Sequence, residues 1–186
     1  AVPGRVHAGP VPIGGGAAVS VQSMLTERLE DLESALGQTR RLRLAGCEII
    51  RVAVPGREAV GPLSEFVKAS PLPVVADVHY DARVAVAAVT EAGVQKVRIN
   101  PGNIRNPDVL PELVKAASGR GIPIRVGLNS GSVSPRRHGK PTDTDPAALL
   151  ADAALSAVRQ LEELDFRDIV VSAKSPDVRS TIDVYR

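Results

Sequence analysis

The chain has 186 residues, 44% of them hydrophobic but only 2% aromatic, and a formal net charge of +2. That length suits one domain with a sizeable core, while the weak charge bias, the absence of Trp and the lack of a long basic tract argue against a nucleic-acid partner. A single cysteine, Cys47, excludes an internal disulfide and any iron–sulfur or cysteine-rich zinc site built from this chain alone, so no metal site is expected within it.

Residues 1–20 are rich in Gly and Pro around Gly14-Gly15-Gly16 and read as a hairpin or irregular lead-in to a domain at 21–186. A βα rhythm follows. A strand at 21–24 precedes a helix at 29–45 that carries Leu29, Leu32, Leu36 and Leu42 toward one face and ends at Gly46. Strand 48–54, helix 60–69 and strand 74–79 come next. Asp81 is placed to cap a helix at 82–92 that Gly93 stops. After strand 95–100, Asn106 and Pro107 read as the N-cap and first position of a further helix. Strand 123–129, a polar loop at 130–144, a helix opened by Asp145-Pro146, strand 168–174 and a helix from Asp177 complete the series.

About six βα units are present. A TIM (β/α)8-type barrel needs eight units and about 250 residues, so the fold expected is an incomplete barrel of that type, with a Val/Ile sheet wrapped by Ala/Leu helices. No apolar run approaches membrane-spanning length and the start lacks a signal-peptide layout, which leaves a cytoplasmic protein with no membrane partner as the expectation.

Alternation sorts the strand residues into two faces. Ile50, Val52, Val54, Val97, Ile99, Ile124, Val126, Leu128, Ile169, Val171 and Ala173 form an apolar outer face. Arg51, Arg98, Asn100, Arg125, Asn129, Ser172 and Lys174 share the inner one, where an ordinary barrel places aliphatic side chains. Cations gathered there repel one another and lose hydration unless an anion joins them, and guanidinium forks match phosphate oxygens. The competing role, arginines snorkelling outward over helices, explains one such residue but not four of one parity.

Asp77-Val78-His79 lies at the C-terminal end of the third expected barrel strand, where barrels carry their active sites, and both polar side chains turn inward. Asp77 suits a substrate hydroxyl or an arginine, with neutralisation of Arg51 or Arg98 as its plainer role; His79 suits proton or hydrogen-bond donation. Asn100-Pro101-Gly102-Asn103 makes a tight turn whose amides suit hydroxyl or phosphate oxygens. Asn129-Ser130-Gly131-Ser132 has the outline of a small anion nest, a weak signal alone. Arg136, Arg137 and Lys140 fit either a lid or a solvated loop, Cys47 a buried packing residue, and His7 and His138 polar loops without a role.

Six motifs in order carry a family resemblance: Val21-Gln22-Ser23-Met24, Ile50-Arg51-Val52-Ala53-Val54-Pro55, Ala76-Asp77-Val78-His79-Tyr80-Asp81, Arg98-Ile99-Asn100-Pro101-Gly102-Asn103, Pro123-Ile124-Arg125-Val126-Gly127-Leu128-Asn129 and Ser172-Ala173-Lys174. From about residue 2 to residue 186 the chain resembles the 4-hydroxy-3-methylbut-2-en-1-yl diphosphate synthases of methylerythritol phosphate isoprenoid biosynthesis. The resemblance implies a TIM barrel for the cyclic diphosphate 2-C-methyl-D-erythritol 2,4-cyclodiphosphate, bound by Arg51, Arg98, Asn103, Arg125, Asn129 and Lys174 with Asp77, His79 and Asn100 lining the pocket. It also implies an oxidoreductase whose [4Fe-4S] cluster sits in a C-terminal iron–sulfur domain absent from this chain, with flavodoxin or ferredoxin as electron donor and a homodimer as the working form. On that reading the fragment alone is inactive. After Met24 the family reads Thr-Asn-Thr where this chain has Leu25-Thr26-Glu27. The rival readings are a non-catalytic phosphate-ligand-binding barrel and a barrel enzyme like dihydropteroate synthase; the Asp77–His79 pair and the cation ring favour the synthase over the latter.

Overall fold

In the computed structural model, which describes residues 4–133 and 145–186, a short hairpin is followed by a repeating βα unit. Strands β1 (Val6–Ala8) and β2 (Val11–Ile13) pair antiparallel across a turn that places Gly9 at a left-handed φ of 58°. His7, expected in a loop, is an exposed residue of β1 because the strand pairing extends through it. Six parallel strands follow in sequence order: β3 (Gln22–Met24), β4 (Ile49–Ala53), β5 (Val74–Val78), β6 (Lys96–Ile99), β7 (Ile124–Asn129) and β8 (Ile169–Lys174). Helices α1 (Leu32–Leu44), α2 (Val60–Ala69), α3 (Ala82–Ala87), α4 (Leu110–Arg120) and α5 (Pro146–Glu163) connect them, and α6 (Val178–Val184) follows β8. Among the described residues β3 and β8 each keep one unpaired edge, so the sheet is an incomplete barrel, as the unit count implies.

The register carries the two-face pattern across the whole sheet. Val52, Ala76, Val97, Ile124 and Ile169 stand side by side in one row, and Val78, Ile99, Val126 and Val171 in another. Apart from Val171, which is 39% exposed near the open edge at β8, these outward rows pack on Leu63, Phe66, Leu113, Leu150 and Leu161 from the helices, all at most 1% exposed. Each such side chain contributes about 1.5–3 kcal/mol by leaving water. On the inner face Ile49 and Val75 meet Ala8, Val11 and Ile13, so the lead-in hairpin packs against the N-terminal part of the lumen.

Local caps shift several helix boundaries. Asp31 accepts a hydrogen bond from the Ser34 amide at 3.1 Å, which starts α1 at Leu32 and leaves Leu29 as a buried loop residue. The helix expected at 82–92 changes after Ala87 into a π turn, Ala88–Ala92, ended by Gly93 at φ 76°. Asn106 does not cap the helix that follows it. Residues Pro107–Val109 form a 3-10 turn, and Asn106 instead bonds the neighbouring unit: Oδ1 accepts from the Ala82 amide at 3.1 Å and Nδ2 donates to Asp81 at 2.9 Å. Asp81 also accepts from the Arg83 amide at 2.8 Å, so the loop carrying His79 and Tyr80 is tied at its far end.

Candidate functional site

Asp77 is the hub of the lumen. It sits on β5 in register with Ala53 and Arg98, 1% exposed, and neither of its oxygens is free. Oδ2 accepts from Arg51 Nη2 at 2.6 Å and lies 3.2 Å from His79 Nε2, while Oδ1 accepts from Arg98 Nη1 at 2.8 Å. Burial by itself pushes this carboxyl up, but the Arg51 and Arg98 guanidiniums outweigh it and hold Asp77 below the usual carboxylate range. Asp77 therefore fixes two arginines. His79 stands at the lip with 40% of its side chain exposed, and Arg98 Nη1 lies within 3.3 Å of both its ring nitrogens.

Arg98 reaches sideways across the next strand, where Nη2 donates to the Gly127 carbonyl at 2.7 Å. The absence of a side chain at Gly127 makes this possible, since a Cβ there would lie 3.2 Å from Arg98 Cζ and closer still to Nε. Gly127→Ala is thus expected to displace Arg98 from Asp77 and weaken anion binding about tenfold, the size of one charge-assisted hydrogen bond, while the fold survives. Calorimetric titration of the folded variant checks this, and unchanged affinity contradicts it.

Among the described residues, four buried polar side-chain atoms of the lumen have no partner: Arg51 Nε, Arg98 Nε, and both side-chain atoms of Asn100, a residue 0% exposed. Buried polar groups are seldom left so. Gly102 allows the β6 turn to approach the β7 turn, because a Cβ there would lie 2.9 Å from the Ser132 carbonyl. Asn103 lies in that turn, its amide donating to the Asn100 carbonyl at 2.9 Å, and its side chain makes no bond to a described residue.

Toward the open edge, Arg125 donates through Nε and Nη2 to Ser172 Oγ at 3.1 and 2.8 Å. Burial first, then Arg51 and Arg98, lower its pKa. Asn129 is aligned with Lys174, and both line a cleft of about 370 Å³ with Ser130, Gly131, Ser175 and Pro176. The nest outlined by Asn129-Ser130-Gly131-Ser132 is partly closed on itself: the Ser132 amide donates to Asn129 Oδ1 at 3.0 Å and the Val133 amide to the Ser130 carbonyl at 3.3 Å. Short polar side chains there satisfy the turn before any anion can. Leu25-Thr26-Glu27 turns away from the lumen, with Leu25 buried and the Thr26 and Glu27 amides donating to Gln38 of α1, both at 3.0 Å. Cys47 is buried and its thiol donates to the Ile49 carbonyl at 3.2 Å, a packing role. Arg136, Arg137, His138 and Lys140 lie outside the described residues.

One inner residue escaped the sequence reading. Lys96 precedes Arg98 by two on β6, aligns with Val75, and is 3% exposed. Its parity with Arg98 and Asn100 was the available signal. Arg51, Lys96, Arg98 and Arg125 thus share the lumen with Asp77 as its one carboxylate among the described residues. Such an excess of positive charge inside a barrel suits an anionic ligand.

A family model, the GcpE TIM-barrel domain, matches residues 4–186. The chain belongs to the GcpE TIM-barrel family. Among curated relatives, the 4-hydroxy-3-methylbut-2-en-1-yl diphosphate synthase (flavodoxin) of Geobacillus kaustophilus is 45% identical over 97% of this chain. The protein of that name from Salinispora arenicola is 45% identical over 98%. The GcpE barrel spans about half the length of these relatives, 48% and 46% respectively. Among solved structures, dihydropteroate synthases from Xanthomonas albilineans (TM-score 0.66, 13% identity, 97% of this chain and 71% of that one) and Burkholderia cenocepacia (0.66, 17%, 91% and 62%) share the fold. That likeness extends to the architecture alone.

Proposed function

We propose that this GcpE barrel is the substrate-holding part of a 4-hydroxy-3-methylbut-2-en-1-yl diphosphate synthase, an oxidoreductase of isoprenoid biosynthesis, and that its lumen binds 2-C-methyl-D-erythritol 2,4-cyclodiphosphate. The observation that carries this reading is the set of unpartnered buried donors, Arg51 Nε, Arg98 Nε and Asn100 Nδ2, inside a ring of cations with one carboxylate. The names of the relatives print a diphosphate product, and the cyclodiphosphate is the substrate that the family resemblance implies for it. Arg51, Arg98 and Arg125 neutralise the diphosphate; Asn100, Asn103, Asn129 and Lys174 hold its oxygens at the rim; Asp77 fixes the two arginines. His79, half open to the mouth, is placed to give a proton to a departing oxygen.

The overall reaction takes up two electrons and two protons, opens the ring and releases water. A [4Fe-4S] cluster supplies the electrons when bound, and the residues of this chain do not fit it: Cys47 is the sole cysteine and is buried, and the described residues contain no cluster of three His, Cys, Asp or Glu side chains suited to a metal ion. The cluster's ligands therefore belong to an iron–sulfur domain outside these residues, and the barrel alone is inactive. Flavodoxin, printed in the relatives' names, is the proposed electron donor, with ferredoxin as the alternative and a homodimer as the working assembly. No described helix is long and apolar enough to cross a membrane, and a cytoplasmic setting suits these partners.

Calorimetric titration with the cyclodiphosphate tests the reading. Arg98→Ala and Arg125→Ala should each weaken binding at least about tenfold, the cost of a hydrogen bond between charged groups. A folded parent chain that gives no binding heat, or variants that bind as it does, would overturn the assignment.

A further inference from the structure

The Lys96 side chain is 3% exposed, and no hydrogen bond or ion pair joins its amine to a described residue. The lumen carboxylate among the described residues is committed, because both oxygens of Asp77 are taken by Arg51 and Arg98. Its position on β6 sets it on the N-terminal side of Arg98, in one row with Val75 and Arg51 and one row below Asp77, Arg98 and Arg125. The charged and titratable groups on the inner face around it are Arg51 on β4, Asp77 and His79 at β5, Arg98 on its own strand, Arg125 on β7 and Lys174 on β8, with Tyr185 acting on Arg125 from beyond α6. The hairpin contributes apolar Val11 and Ile13.

We infer that Lys96 is a ligand-binding group of this site, meeting the bound diphosphate from the N-terminal side of Arg98, level with Arg51. The inference rests on the proposed function. An ammonium in that place has a reason to be retained only if an anion arrives, since its surroundings otherwise oppose its charge. Burial, then Arg125 and Arg51, lower its pKa to about 8. An incoming diphosphate acts in the opposite sense, so above about pH 8 binding is coupled to uptake of a proton by Lys96. Below that pH the amine is already charged and affinity no longer changes with pH through this group. Above it, affinity falls by up to about tenfold per pH unit until the pKa of the bound form is reached.

The test is calorimetry of the 186-residue chain and its Lys96→Met variant with 2-C-methyl-D-erythritol 2,4-cyclodiphosphate. Each is titrated at neutral and at mildly alkaline pH, in buffers of different ionisation enthalpy, with circular dichroism to confirm the fold. The expected result is binding about tenfold or more weaker in the variant at neutral pH, matching the loss of one charged hydrogen bond. Proton uptake at alkaline pH should appear in the parent and vanish in the variant. Equal affinity and equal proton uptake in the two chains overturn this inference alone. No binding by the folded parent overturns the proposed function and this inference together.

Discussion

Asp77→Asn is expected to lower the unfolding free energy at neutral pH by about 3–5 kcal/mol, the usual consequence of removing one member of a buried ion pair. The substitution keeps the shape of the side chain and removes its charge. Arg51 and Arg98, which reach it at 2.6 and 2.8 Å, then face Lys96 and Arg125 with no lumen carboxylate among the described residues between them. The pH dependence separates this electrostatic role from simple loss of packing. The folded pKa of Asp77 is depressed, so its stabilisation is fully present above the unfolded carboxyl value of about 3.9 and is lost as pH falls through the folded value. Parent and variant should therefore differ most near neutrality and converge in acid, where the parent's carboxyl is protonated too. Urea unfolding of both chains across that range measures the gap. A variant as stable as its parent at neutral pH would mean that the double ion pair does not hold the lumen together.

The network around Asp77 also shows how far the sequence speaks. Alternation placed Arg51, Asp77, Arg98 and Arg125 on one face, and the register puts Asp77, Arg98 and Arg125 in one row with Arg51 close enough to bond Asp77. Parity in a parallel sheet is a local property, so it survives into the fold. What each polar group bonds to is not local. Asn106, with the look of an N-cap, spends its amide on Ala82 and Asp81, and Asn129, with the look of an anion nest, bonds Ser132. Those partners depend on how neighbouring units dock or how a turn closes, which spacing does not encode. Gly127 was legible as part of a motif but not as a requirement. Its bare Cα matters because Arg98 crosses from the adjacent strand to reach its carbonyl. The three-dimensional role of Asp77, a clamp on two arginines beside a half-exposed His79, likewise appeared only once the strands were side by side.

Lys96→Met should make the chain more stable, and by an amount that depends on pH. A paired lysine has a raised folded pKa and stabilises below it; Lys96 is the reverse case. Its folded pKa of about 8 lies below the unfolded value, so between about pH 8 and 10.4 the unfolded chain binds more protons and stability climbs with pH. At pH 7 the folded chain carries the Lys96 ammonium on a side chain 3% exposed, with no ion-pair partner among the described residues. A lowering of this size is worth about 3 kcal/mol at 1.36 kcal/mol per unit. The advantage of the Met variant over its parent should accordingly be about 3 kcal/mol larger near pH 7 than near pH 10.5. Tyr80 and Tyr185 are present in both chains, so their ionisation cancels in the comparison. Chemical unfolding at the two pH values gives the difference directly, and an advantage that does not change with pH would show that Lys96 is neutralised by a group not accounted for in the lumen. Stability gained together with affinity lost is the pattern of a residue kept for its ligand rather than for the fold.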